Sequence, residues 1–435
     1  MVVDWSGRDA DWLSVWEAVE RGLAAVEGLE TEEIALEDAL GRVLAEDVVS
    51  PINQPPWDNS AMDGYATRAG DVEGASADAP VRLTVVDDIP AGGFPSRSIG
   101  PGEAAKIMTG APTPGGADGV VRVEHTDAGD DVVTITEDGD AGRNIRRKGE
   151  DLREGETALE AGLAIGPAAM GVLAIVGRAR VPVTRRPVVA ILSNGDELVD
   201  LDDFDQVKAG RKIVNSNSYS LLGAVAAMGC APRLLGIARD DPADIRAKLE
   251  AGLDADVLIT SAGAAVGEHD RVKDVLDDLG YELDFWRVRM RPGSPASLGR
   301  IPRSGRRPLF VWGLPGNPVS ALATFMVLVR PALRRMQGRA RVHNAVFPVV
   351  AKERIPSKPD KAHFQRVILE PGDPVPLARP TGAQGSGILT SMTKADALFV
   401  VPEGRSGVEP GARGVAMALG ASDEAATSYG LPGPE

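Results

Sequence analysis

The spacing of apolar positions changes several times along the chain, and each change predicts a different kind of element. Residues 12–27, WLSVWEAVERGLAAVE, place apolar side chains at helical spacing and predict an amphipathic helix. The strand-like Ile34-Ala35-Leu36 follows, and a second short helix is expected from Glu37 to Leu44. Residues 50–57 carry three prolines and no helical pattern, which marks a boundary. Between residues 80 and 147, runs rich in Val, Ile and Thr (VRLTVV, GVVRVE, VVTIT) are broken by glycine, as in a small β-domain with hairpin turns. A helix opened by proline and closed by Gly177 is expected from Pro167 to Val176.

From Arg185 the rhythm becomes strand–helix alternation. Strands are expected at Val188–Leu192, Leu234–Ala238 and Val257–Thr260, and helices at Ser216–Met228, Pro242–Ala251 and Arg271–Leu279. A short apolar run, Leu309–Trp312, then breaks at Gly313-Leu314-Pro315-Gly316 and resumes as a long apolar helix, with Asn317 as N-cap and Pro318 in its first turn. This is the pattern of a mostly parallel α/β sheet covered on both faces. No G-x-x-x-x-G-K-[ST] occurs, nor a G-x-G-x-x-G after a strand, so neither a P-loop nor a dinucleotide fold is expected. Short strands return after Met336-Gln337-Gly338 and predict a C-terminal β-barrel or sandwich of about eighty residues. The last stretch, 421–435, is rich in Gly, Ala, Ser and Pro and is expected to be disordered.

Composition narrows the function classes. At 435 residues, 43% of them hydrophobic, the chain should hold two to four domains with substantial cores. A single cysteine, Cys230, excludes a disulfide framework or a cysteine-based zinc site and suits a reducing cytoplasm. The start, Met-Val-Val-Asp-Trp, lacks the basic and apolar regions of a signal peptide, and the run Val319–Val329 is far short of a membrane span. A soluble cytoplasmic protein is expected. The net charge of −16 argues against a nucleic-acid partner. Only ten of the 47 basic residues are lysine, and the acid excess is dispersed, as in a salt-adapted protein rather than in an acidic tail.

Ligands of open α/β sheets bind beyond the carboxyl ends of the strands. Four loops are expected there: Ser193-Asn194-Gly195-Asp196-Glu197, Ser261 to Asp270, Arg291 to Ser294, and Leu314 to Ser320. They offer hydroxyls (Ser193, Ser261), glycines for close backbone approach (Gly195, Gly263, Gly267, Gly316), and a helix N-terminus at Asn317-Pro318. That set suits a phosphorylated ligand plus a divalent cation, with Asp196, Glu197 and Asp270 as oxygen ligands for Mg²⁺. Asp196-Glu197 also reads as a charge pair at a helix N-terminus, and Asp270 as a cap for the helix at Arg271. His269 reads as an exposed neighbour.

Several strings carry a resemblance: DNSAMDGYA (Asp58 to Ala66), DIPAG (Asp88 to Gly92), IMTGAPTPGGAD (Ile107 to Asp118), GEDL (Gly149 to Leu152), SNGDEL (Ser193 to Leu198), NSNSYSLLGAV (Asn215 to Val225), RPGSP (Arg291 to Pro295) and LPGNPVSA (Leu314 to Ala321). Taken in this order, the chain resembles the molybdopterin molybdenumtransferases, the MoeA family, whose animal counterpart includes the gephyrin scaffold. The resemblance implies a multidomain α/β protein with a MogA-like molybdopterin-binding domain at 185–337. An elongated α+β N-terminal domain (1–51 and 152–184) would carry an inserted β-rich domain (52–151), and a C-terminal β domain (338–420) would follow.

The resemblance also implies an activity: adenylylated molybdopterin and molybdate, or tungstate, react with Mg²⁺ to release AMP and leave the metal on the dithiolene. It gives Asp58, Thr109, Asp151, Glu197 and Asp270 catalytic roles, Thr109 and Asp151 reaching the cleft from a second subunit. Ser193, Gly195, Ser261, Gly263, Gly267, Gly316, Asn317 and Pro318 would bind the pterin substrate. Arg291, Ser294, Ser320, Arg366 and Ser386 or Ser391 would hold molybdate. A homodimer with clefts between subunits is implied, and a contact with the molybdopterin adenylyltransferase is a further expectation; nucleic acid and membrane are not expected partners.

Three positions depart from the family pattern. Ala262 and Ala265 stand where it has glycine and serine, and Ser294 where it has the second lysine of K-P-G-K-P. Two charges 4 Å apart at an effective dielectric of about 20 are worth ~4 kcal/mol before desolvation, so the lost cation matters unless Lys273 or another residue replaces it. These departures would suit the alternative of a non-catalytic or divergent paralogue acting as a cofactor-binding or scaffold protein. The dispersed acidity predicts that the thermal midpoint rises between low and molar KCl; a flat or falling curve would remove salt adaptation.

Overall fold

The computed structural model describes residues 12–261 and 271–420; Ala262, Gly263, Ala265, Gly267, His269 and Asp270, for which the sequence sets expectations, and the tail from 421 lie outside the described residues. The chain forms two compact units. One comprises Met1–Glu46, Ala161–Met170 and Arg180–Glu435, the other Asp47–Glu160 and Gly171–Ala179. Among the described residues, no helix is long and apolar enough to cross a membrane.

The second unit contains a five-stranded sheet in the order Gly119–Arg122, Gly64–Thr67, Glu103–Ile107, Val81–Ile89, Val132–Ile135. Alternating side chains feed two small cores, Tyr65, Leu83, Val121 and Val133 in one and Ala66, Ile89, Ile107 and Val120 in the other. Gly64 is required where two strands meet, because a Cβ there would collide with the Val121 carbonyl.

The first unit opens with helix α1 (Val15–Ala25), which starts at a capping box between Ser14 and Glu17. The strand Thr31–Ala35 pairs antiparallel with Arg180–Thr184. The helix expected from Glu37 to Leu44 does not form. Only a 3-10 turn, Leu36–Asp38, is present; Gly41 takes a φ of 73°, and Val43 and Leu44 bridge Ala164 and Val183 instead. Burial of those two apolar residues by pairing overrides their helical spacing.

Strand–helix alternation then builds the main sheet from β1 (Val188–Asn194), α2 (Ser216–Ala227), β2 (Ala231–Ala238), α3 (Pro242–Glu250), β3 (Val257–Ser261), α4 (Arg271–Asp278), β4 (Glu282–Trp286), β5 (Ser297–Ile301) and β6 (Leu309–Leu314). The strand order is β2-β1-β3-β6-β5-β4. β2, β1, β3 and β6 are parallel neighbours, and β5 runs antiparallel to both β6 and β4. Val189, Ile191, Val257, Ile259 and Trp312 join one core with residues of α1 and α2. Ala190, Leu192, Leu258 and Val311 join another with residues of α3 and α4. The sheet is therefore covered on both faces, as the continuous apolar strands predict.

β6 extends two residues past the predicted break, because Gly313 and Leu314 still pair with Thr260 and Ser261. After it the chain stays helical through α5 (Pro318–Thr324), a π-helical turn (Phe325–Val329) and α6 (Arg330–Met336). Asn317 occupies the N-cap position with extended backbone, but its side chain makes no capping hydrogen bond. In the π turn the Arg330 N–H bonds the Phe325 carbonyl, and Asn344 Nδ2 donates to the Met326 carbonyl at 2.8 Å.

The C-terminal part is a closed five-stranded barrel: β7 (Val346–Ala351), β8 (Ala362–Glu370), β9 (Leu377–Pro380), β10 (Ala397–Val401) and β11 (Arg413–Ala418), neighbours in the order β8-β9-β7-β11-β10-β8. The two-residue strand Met290–Arg291 lies parallel to the start of β8. This outcome chooses the barrel over the sandwich.

Candidate functional site

At the carboxyl edge of the main sheet, buried polar groups fasten the loops. Ser193, at the end of β1, donates to Asn215 Oδ1 at 2.8 Å and lies 3.0 Å from Ser218 Oγ. Asn215 is the N-cap of α2, so the start of that helix is bound to the end of β1. Asn217 does more. Its Nδ2 donates to Ser261 Oγ at 2.6 Å and to the Gly316 carbonyl at 2.7 Å, joining the ends of β3 and β6. Among the described residues its buried Oδ1 has no hydrogen-bond partner. Neither asparagine was singled out from sequence; the signal available was an Asn-x-Asn at a helix start.

Gly195 has a φ of 146°, and a Cβ there would collide with the Glu197 carboxylate. Asp196 and Glu197 lie in an exposed turn, followed by the short strand Leu198–Val199, so they are not a charge pair at a helix N-terminus. Asp196 Oδ1 accepts the Asp240 N–H at 3.2 Å, and Asn194 Nδ2 donates to Asp240 Oδ1 at 2.8 Å. Glu197 has no ion pair or side-chain hydrogen bond among the described residues. No three acidic, histidine or cysteine side chains among the described residues converge to hold a metal ion.

The opposite wall is cationic. Arg366, on β8, is fully buried; its Nε donates to Ser391 Oγ at 2.9 Å and its Nη2 to the Gly385 carbonyl at 3.1 Å. Its Nη1 is buried without a partner among the described residues. Ser391 Oγ in turn donates a hydrogen bond to the Ile388 carbonyl at 2.6 Å, and the Val319 N–H of α5 donates to the Ser386 carbonyl at 3.0 Å. The barrel loop thus seats on the N-terminus of α5, where Ser320 is 5% exposed. Thr324 Oγ1, one turn further along α5, is also buried without a partner among the described residues, and a Cβ on Gly293 would strike it.

Arg291 pairs in register with His363, beside the loop that carries Ser294. Ser294 Oγ donates to the Met290 carbonyl at 2.7 Å and accepts from Lys361 Nζ at 3.0 Å. Lys361 is therefore the cation at this position. Lys273, considered from sequence, pairs with Asp277 at 3.2 Å instead. Nothing in the local sequence marks Lys361, which lies 67 residues beyond Ser294. Burial, with the positive charges of Arg291 and Arg366, pushes His363 down to about 4, so its imidazole is neutral at neutral pH.

Asp58, Thr109 and Asp151 belong to the other compact unit. Asp58 accepts from Arg147 Nη1 at 2.7 Å and from the Lys148 N–H at 2.8 Å, contacts that hold its carboxyl below the usual range. Thr109 gives both its N–H and its hydroxyl to Asp63 Oδ1 at 2.7 Å. The Asp151 N–H donates to the Gln54 carbonyl at 3.0 Å. The signature loop of this unit is thus tied by its own aspartates, as an Asx-rich loop would be.

Three family descriptions match consecutive parts of the chain: MoeA N-terminal region (domain I and II) at residues 13–177, probable molybdopterin binding domain at 190–335, and MoeA C-terminal region (domain IV) at 348–413. A molybdopterin molybdenumtransferase of Nostoc sp. is 37% identical over 385 residues, covering 88% of this chain and 87% of the relative. One from Bacillus subtilis is 34% identical over 404 residues, covering 92% of each. The crystal structure of a molybdopterin biosynthesis moeA protein from Pyrococcus horikoshii superposes with a TM-score of 0.79 at 30% identity, covering 94% of this chain and all of that one.

Replacing Asn217 with Ala should cost about 1–3 kcal/mol, the penalty for unsatisfied buried groups. Amide exchange at 314–318 should quicken while β1 and β3 stay protected; unchanged exchange would show that Asn217 does not fasten the loop. The His363 ring should titrate near pH 4 by NMR. Because its folded value is depressed, its share of stability is full above about 6.5 and falls as pH drops from there toward 4.

Proposed function

This chain belongs to the MoeA family of molybdopterin molybdenumtransferases, and on that premise we propose that it transfers molybdate to adenylylated molybdopterin with release of AMP. It is a transferase of molybdenum cofactor biosynthesis. The observation that carries the finer reading is Arg366: a fully buried guanidinium held by Ser391 on one side, with Nη1 unpartnered among the described residues on the other. A buried cation with an orphaned donor calls for an anion of fixed geometry. Arg291, Ser320 and the N-terminal dipole of α5 support the same ligand. In this reading Lys361 supplies the charge that Ser294 lacks, with the serine hydroxyl fixing the ammonium.

The pterin and phosphate end is assigned to Ser193, Gly195, Ser261, Gly316 and Asn217, whose Oδ1, unpartnered among the described residues, accepts a donor from the ligand. Asp196 and Glu197 fit a hard divalent cation, since both are exposed oxygen ligands and Glu197 is uncommitted among the described residues. Bound there with Asp270, Mg²⁺ would stabilise charge on the scissile phosphoryl group. The protein's own residues hold the pyrophosphate linkage and the oxyanion together, so much of the rate gain comes from positioning and fixed dipoles. The active form is proposed to be a homodimer in which Thr109 and Asp151 serve the partner's cleft.

Purified protein given adenylylated molybdopterin, Mg²⁺ and molybdate should release AMP and load the metal. Failure with both molybdate and tungstate, at low and high salt, would leave the scaffold reading. Lys361→Ala should raise the molybdate KM at least tenfold, and Ser294→Lys in that background should restore it. An unchanged KM in Lys361→Ala would remove the lysine from the oxyanion site.

A further inference from the structure

Lys361, the ammonium beside Ser294, is held on a second side. Its Nζ lies 3.0 Å from Ser294 Oγ and 4.6 Å from the centroid of the Trp12 ring. Both Lys361 and Trp12 are half-buried. Lys361 has no ion pair among the described residues, so both groups that hold it are neutral.

The backbone brings these distant residues together through Arg289. Its N–H donates to the Leu13 carbonyl at 2.8 Å, and its carbonyl accepts the Ala362 N–H at 3.0 Å. Trp12–Leu13, just ahead of α1, and Lys361–Ala362, at the start of β8, are therefore anchored on one residue. The Val288 N–H donates to the Ser294 carbonyl at 3.0 Å, which joins the Ser294 loop to the same construction. The Arg289 side chain adds a bond from Nη1 to the Trp12 carbonyl and pairs through Nε with Glu403 at 2.7 Å.

The indole is itself packed by a cation. The Arg287 guanidinium lies 5.1 Å from the Trp12 ring and 3.9 Å from the Trp286 ring. Arg287 has a φ of 66°, a left-handed conformation unfavourable for a residue with a Cβ. Two backbone bonds keep it there: its N–H donates to the Ala296 carbonyl at 2.9 Å, and its carbonyl accepts the Leu13 N–H at 3.3 Å. Strain kept beside a binding loop points to a functional constraint.

An aromatic ring is a particular kind of support. A carboxylate would hold Lys361 more strongly, but it would neutralise the ammonium and compete with an incoming oxyanion. An indole face attracts the ammonium through its quadrupole and leaves the charge in place. We propose that Trp12 is a positioning residue of the oxyanion site, its ring holding the Lys361 ammonium against Ser294 without neutralising it. This rests on the reading of Lys361 as the cation that meets molybdate.

The test compares the full chain as wild type, Trp12→Leu, Trp12→Phe, Lys361→Ala and the double variant Trp12→Leu/Lys361→Ala. Under limiting amine acylation, peptide mass spectrometry should show Lys361 modified about threefold faster in Trp12→Leu, with the exposed Lys358 as an unchanged reference. In the AMP-release assay Trp12→Leu should raise the molybdate KM about fivefold while kcat holds. Trp12→Phe, which keeps an aromatic face, should retain the wild-type KM, and Trp12→Leu should add nothing once Lys361 is alanine. If Trp12→Leu fails to fold, Trp12→Gln, suited to a half-exposed position, takes its place. Equal labelling of Lys361 in wild type and Trp12→Leu would overturn the proposal, as would an unchanged KM or a KM effect that persists without Lys361. A wild-type chain that releases no AMP would defeat the transferase reading instead; faster labelling in Trp12→Leu would still show the ring holding the ammonium.

Discussion

Helices lie against both faces of the central strands, and this double burial governs where chemistry takes place. Val189 and Ile191 are committed to one core and Ala190 and Leu192 to the other, so no face of β1 is left for a ligand. The same holds for β3 and β6. Polar function is confined to the strand ends, where backbone groups emerge unpaired and helix N-termini point. Ser193, Asn217, Ser261 and Gly316 are joined there by a few short hydrogen bonds. Those bonds turn separate loops into one surface.

The second principle of the site is cation placement. The chain is strongly acidic overall, yet Arg366, Arg330 and Arg334 are nearly or fully buried. An acidic exterior and buried guanidiniums have different consequences. Exposed carboxylates are screened by salt, whereas a guanidinium held away from water keeps its field and its demand for an anion. Lys361 is intermediate, partly exposed and aimed by Ser294. The departure from the family pattern at 294 is thus a relocation of charge: a neutral hydroxyl on one loop orients an ammonium delivered by another.

Much of the architecture was legible in the amino-acid pattern, because strand–helix alternation between Val188 and Leu314 leaves a clear change of period. Ser193 and Ser261 stand at the ends of predicted strands and were expected for that local reason, whereas Arg366 and Ser391 lie in none of the family strings and were expected only from the family resemblance. What escaped was set by distant partners. The helix expected at Glu37–Leu44 yields to pairing with Ala164 and Val183, which no window of neighbouring residues contains. Lys361 meets Ser294 only because the start of β8 runs beside Met290–Arg291. Asn217 looked like one more polar residue at a helix start until its amide was seen to span two strand ends. Asp58 and Thr109 were legible as a motif, but their bonding to Arg147, Lys148 and Asp63 was not.

The π turn at Phe325–Val329 has a consequence for how the gene can change. It adds one residue to an otherwise α-helical ladder, and each residue turns a helix by about 100°. Deleting a single residue there would relax the backbone to an ordinary α-helix and rotate everything downstream by that angle. Arg330 and Arg334 would swing away from Asn344, and Leu333 and Met336 would leave the core they share with α1. The helix therefore counts its residues. Substitutions along this run are open to gradual exchange, whereas a change of length must be matched in the same step by the loop that leads into the barrel.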